Sequence, residues 1–173
     1  MKKIASLVLA LTMLFCTFVL TSCDSNSGSN VEQSNSSNVE QSNTQKEKEF
    51  YNLVDETKDL LDIVADDIYS YWYDCIYKDK YLENISYAVA CAKSDNESNL
   101  NTIEENTTKI KDLYKQIREG KLSSEAKAVM QAYNDYYTLV VEVSGSFKSY
   151  SASKETCKKE LASALDDFSF ELD

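Results

Sequence analysis

Phe50, Val54, Thr57, Leu61, Val64, Ile68, Tyr71 and Cys75 follow one another at alternating steps of four and three residues. A half-buried strand would need steps of two. This period instead turns one seam of an α-helix towards partner helices for about seven turns. Leu53, Leu60 and Trp72 widen the seam, while Glu56, Asp59, Asp62, Asp66 and Asp67 fall largely outside it. The chain contains no proline that could break such a rod. The spacing therefore predicts one long amphipathic helix from Lys46 to about Lys78.

The rest of the chain repeats the theme. After a short connection near Asp79 and Lys80, apolar residues recur at Leu82, Ile85, Val89 and Ala92. Beyond a polar waist, 94–99, they resume at Leu100, Ile103, Thr107, Ile110, Tyr114 and Ile117. Gly120 then stands where a helix C-terminal glycine belongs. This second leg is one rod kinked at the waist, or two helices with a turn between. Ser123 and Ser124 offer N-caps for a third run with Ala126, Val129, Met130, Tyr133, Tyr136, Tyr137, Val140 and Phe147 on its core side. It resumes at Cys157, Leu161, Leu165, Phe168 and Leu172, with a soft spot near Gly145. The expected fold is all-α: an antiparallel bundle of three long helices over 47–173, or four if the second leg is split.

Ahead of the bundle the composition changes twice. Lys2 and Lys3 precede an uncharged apolar run, Ile4 to Leu20, in the layout of a secretory signal. The run is short for a bilayer-spanning helix, so ordinary cleavage and a retained anchor are the competing readings. Leu20, Thr21, Ser22 and Cys23 have the form of a bacterial lipobox, which predicts removal of 1–22 and a diacylglyceryl group on Cys23. Two acyl chains make a stable anchor where one is marginal. Positions 23–46 are mainly Ser, Asn, Gln and Glu with two isolated valines, and the octad of 29–36 is rewritten at 37–44. Two copies without an apolar face cannot stack as a solenoid. This stretch reads as a disordered tether.

Composition excludes several functions. Asp and Glu outnumber Lys and Arg by 29 to 18, for a net charge of −11, so nucleic acid and anionic headgroups are repelled. There is no histidine, which removes Ser/His/Asp and Cys/His nucleophile pairs and His-ligated metals. Three glycines are too few for a phosphate-cradling loop. No catalytic residue, metal site or cofactor is expected.

What remains are weaker signals. Cys75, Cys91 and Cys157 are an odd set, read as free thiols, with Cys75 and Cys157 on apolar seams. The waist resembles a calcium loop, but Leu100 stands where the turn needs glycine and Asn106 where a bidentate glutamate belongs. The pairs Asp66/Asp67, Glu104/Glu105 and Asp166/Asp167 could be cast as acid and base, yet helical neighbours point about 100° apart. The strongest signal is Tyr69, Tyr73, Tyr77 and Tyr81, which step by four along the far end of the first helix. Such a row suits a protein or glycan contact, against the plainer reading that it covers the bundle's end.

Two stretches, Trp72 to Tyr77 and Val143 to Tyr150 (led by Tyr133, Tyr136 and Tyr137), join the lipobox in a resemblance. Together they are similar to uncharacterised helical lipoproteins of Gram-positive gut bacteria. That group often has proline before the Ser-Gly pair, where Val143 stands here. The resemblance implies helices and a cell-surface address, with no activity to carry over. The expectation is a non-enzymatic module, anchored on the outer face of the cell membrane and binding an unknown protein or wall partner. An envelope enzyme subunit and a small-ligand or cation sensor are the alternatives.

Overall fold

A computed structural model of the protein describes residues 33–172, with side chains from Asn43 onward. Among them are five α-helices and no strand: α1 (Gln33–Tyr77), α2 (Ile85–Asp95), α3 (Glu97–Ile117), α4 (Ser123–Val141) and α5 (Phe147–Leu172). The all-α class holds. The signal segment, the lipobox with Cys23, and the tether up to position 32 lie outside the described residues.

The seam of α1 is buried as its spacing requires. Phe50, Val54, Thr57, Leu61, Val64 and Ile68 are inaccessible to solvent. Phe50 meets Tyr114 of α3 and Phe168 of α5, while Trp72 meets Phe147 and Tyr150 at the start of α5. Both α3 and α5 therefore run against α1. The Tyr136 hydroxyl of α4 donates to Asp62 at 2.6 Å, and Leu122, just before α4, bonds to Glu47, so α4 runs with α1. The result is an up-down-up-down bundle in which α2 and α3 share one leg.

Several expectations need correction. The third leg is not one rod. From Ser123 to Leu172 it would extend about 75 Å, against about 46 Å for the stretch of α1 from Glu47 to Tyr77. Overhanging turns would have nothing to pack on, and the chain instead doubles back at 142–146. Gly145 makes the turn possible with a φ of +84°. Ser146 then caps α5 with Ser149: each backbone N–H donates to the other's hydroxyl, at 3.1 and 2.8 Å, a reciprocal cap built from two serines.

The waist of the second leg is not simply solvated either. Asn96, the one residue between α2 and α3, is buried and donates to Asp67 of α1 at 2.8 Å and to the Ala92 carbonyl at 3.0 Å. Leu82 and Ile85, expected in the core, are exposed: Leu82 sits in a left-handed turn ahead of α2, and α2 buries its small residues Ala88 and Ala92 instead of Ile85. Finally, neither Ser123 nor Ser124 caps α4. The N-cap position is Leu122, whose side chain cannot serve, and the Glu47 carboxylate accepts the Leu122 N–H from across the bundle. A Cβ on Gly120 would come within 3.3 Å of that carboxylate. Gly120 is thus a close-approach residue rather than a left-handed cap.

The backbone of α1 also reaches back to Gln33, inside the stretch read as a tether. Extending an existing helix fixes one residue per added hydrogen bond, so it needs no apolar face of its own.

Candidate functional site

Among the described residues, most of the large exposed apolar side chains lie at the end of the bundle where α1 gives way to α2. Tyr69 to Tyr77 is the last stretch of α1, and side chains four apart on a helix lie on one face. Phe147, at the start of α5, packs into that face. Its ring lies 5.0 Å from Tyr69, 6.2 Å from Tyr73 and 6.1 Å from Tyr77, and Tyr73 and Tyr77 are 4.7 Å apart. Two ammonium groups border the ladder, Lys154 at 4.7 Å from Tyr69 and Lys78 at 5.6 Å from Tyr73. Tyr69 is half-buried, Tyr73 is more open, and Tyr77 is 61% exposed.

The structure does not keep the four tyrosines together. Asp79, Tyr81, Leu82 and Glu83 all have φ between +53° and +57°. That left-handed backbone, costly for residues with a Cβ, carries Tyr81 off the stride of α1. Its ring stacks instead on Tyr71, centroids 5.0 Å apart. The Tyr71 hydroxyl donates to Asp95, and this hydrogen bond pushes the phenol up to about 12. The turn is pinned at its entry by Asp74, which takes Lys78 and Lys80 at 2.7 Å each and is held below the ordinary carboxylate value by them. At its exit the Asn84 side chain accepts the Tyr87 N–H at 3.0 Å and caps α2. Leu82, at the tip, is 89% exposed. Sequence spacing identified Tyr69, Tyr73 and Tyr77 as one surface; Phe147 joins it only because of the reversal at Gly145, which no periodicity announces.

Three other tyrosines do a different job. Tyr133, Tyr136 and Tyr150 are buried and tie helices together. Thr107 donates to the Ile103 carbonyl, so Tyr133 donates to Thr107 at 2.6 Å. Tyr136 bonds Asp62, which also takes Lys158 at 3.0 Å, and Tyr150 reaches the Ala65 carbonyl at 3.3 Å. Burial pushes all three phenols up, Tyr133 to about 12.

The other sequence candidates fall apart spatially. Asp66 pairs with Lys154 of α5 at 2.5 Å, whereas Asp67 accepts from Asn96 on the opposite side. Adjacent carboxylates here serve different helices. Cys75, Cys91 and Cys157 are free, Cys75 being buried, and burial raises the Cys157 thiol. Among the described residues no group of three or more Cys, Asp or Glu side chains could hold a metal ion, and no helix is long and apolar enough to cross a membrane. No family model, curated protein or solved structure matches the chain.

Proposed function

We propose that this protein is a lipid-anchored, non-enzymatic interaction module on the outer face of a Gram-positive cell membrane, and that it captures a protein partner through the aromatic end of its bundle. The observation that carries the reading is the concentration of Tyr73, Ile76, Tyr77, Leu82 and Ile85, all exposed, at one end of the described bundle. Aromatic rings held in place by one another lose little freedom on binding and can bury large apolar area. With a net charge of −11, the fitting partner offers an apolar segment flanked by lysine or arginine. The address rests on Leu20 to Cys23 and the cationic, apolar segment before them.

The test is in living cells. A photo-crosslinking side chain at position 77 should give one covalent protein adduct, and the same group at Glu105 on the exposed face of α3 should not. Tyr73→Ala with Tyr77→Ala should weaken capture about 30-fold or more, with helicity unchanged. Undiminished capture by that double variant disproves the surface. Fatty-acid labelling that persists in Cys23→Ser disproves the anchor separately.

A further inference from the structure

Between α1 and α3 an open groove of about 530 Å³ runs along the outside of the bundle. On α1 its lining positions are 49, 52, 53 and 56, and on α3 they are 109, 112, 113 and 116. Each set has the spacing i, i+3, i+4, i+7, which is one continuous face of a helix. The two faces are written alike. Each places a single half-buried leucine, Leu53 or Leu113, between exposed polar or charged side chains. The groove therefore has a short apolar floor and polar ends. A groove of this form seats a further helix, which lays its own i, i+3, i+4, i+7 face between the two.

The ends of the seat are acidic. Glu49 and Glu56 stand seven residues apart, about 10.5 Å along α1. Both are exposed; Glu49 accepts the neutral amide of Gln45 at 3.2 Å, and neither carboxylate meets a cation among the described residues. Asp112, by contrast, is already paired with Lys115 at 2.9 Å. Lys109 is the one cation lining the groove. A second copy of the chain, with its net charge of −11, would bring like charge to this seat. What complements it is a face with two cations seven residues apart and an apolar side chain between them.

We propose that the α1–α3 groove binds a basic amphipathic helix that carries lysine or arginine at i and i+7 and a large apolar residue at i+3 or i+4. The two cations pair with Glu49 and Glu56, and the apolar side chain rests on Leu53 and Leu113. The seat is separate from the ring ladder, none of whose residues lines it. Glu105 lies about 12 Å along α3 from Leu113, also outside it.

The isotopically labelled full chain is titrated at low salt with a helical alanine–glutamine peptide of about 18 residues. The peptide carries lysine at i and i+7 and leucine at i+3 and i+4. Amide signals of residues 49–56 and 109–116 should shift saturably, with a Kd at or below about 1 mM. A peptide with serine for both leucines should bind at least about tenfold more weakly. Glu49→Gln with Glu56→Gln should weaken binding about threefold to tenfold, and Lys109→Glu should tighten it about threefold. Asp166→Asn with Asp167→Asn removes as much charge from exposed positions on α5 and should change binding by less than about twofold. All five substituted side chains are exposed, so helicity should be retained. Shifts confined to residues 73–85 would overturn the groove and leave the ring-ladder surface standing. An equal loss in the α5 variant, or equal binding of the serine peptide, would reduce the effect to general charge and overturn it too. Equal shifts with hexylamine would make the groove a site for small amines, and shifts of the same residues on concentrating the free chain would make its occupant a second copy. Either of these, or no shift at all, also overturns the proposal.

Discussion

Where α3 turns into α4, Phe50, Ile117, Leu122 and Phe168 are all buried, and a carboxylate reaches across from α1 to accept the N–H of Leu122, the N-cap of α4. At the opposite end, where α1 turns into α2, Tyr77, Leu82 and Ile85 face solvent and four residues with side chains sit in left-handed backbone. Helix bundles must stop somewhere, and some exposure at a rim is ordinary. Phe170 shows as much, 81% exposed near the closed end but alone. The closed end shows that this chain can seal itself with a few well-placed residues. The open end is therefore a local property of residues 73–85. Combined strain and apolar exposure of that kind mark functional surfaces more often than structural ones.

The contrast predicts unequal costs. Phe50→Ala removes a fully buried ring from the closed end and should destabilise by about 3–5 kcal/mol. Tyr77→Ala removes a ring of similar size from the open end. It loses ring contacts with Tyr73 and Phe147, and should cost no more than about 1 kcal/mol. Urea unfolding of the two variants side by side decides the matter. Equal costs would mean that the open end is a load on the fold and not a free surface. Gly145→Ala should fall between them, at about 1–3 kcal/mol. Its φ is +84°, and a Cβ there would stand 2.8 Å from the Ser149 hydroxyl that caps α5. A change below about 0.5 kcal/mol would show that the hairpin of α4 and α5 does not depend on that turn.

The same contrast explains what the sequence could and could not say. The seam of α1 was legible because Phe50 to Ile68 each spend their whole side chain on one buried stripe, and a stripe has a period. The reversal between α4 and α5 was not, because Val140 and Phe147 continue the helical spacing across the break. Only the positive φ of Gly145 and the pairing of Ser146 with Ser149 separate the two helices. Tyr81 continued the arithmetic of Tyr69, Tyr73 and Tyr77, yet left-handed residues after Asp79 carry it to Tyr71. Asn96 read as a solvated waist because a polar residue's burial depends on partners far along the chain, here Asp67.

The smallest effect concerns the closed end itself. Burial raises the Glu47 carboxyl above its ordinary value of 4.5, against the opposing pull of the Leu122 N–H and of Lys121. A carboxyl whose value is raised by folding binds its proton more tightly in the folded chain. Its contribution to stability is thus fully present below pH 4.5 and is lost as the pH rises through the raised value. Glu47→Gln keeps an acceptor oxygen for Leu122 and has no charge to bury. At pH 7 the variant should melt slightly higher than the parent, and the difference should close as the pH falls below 4.5. Melting curves at several pH values test this. A variant that melts lower at pH 7 would mean that the negative charge at the start of α4 matters more than its desolvation, and the closed end would then be held by an ion at a helix terminus instead of by a buried acceptor.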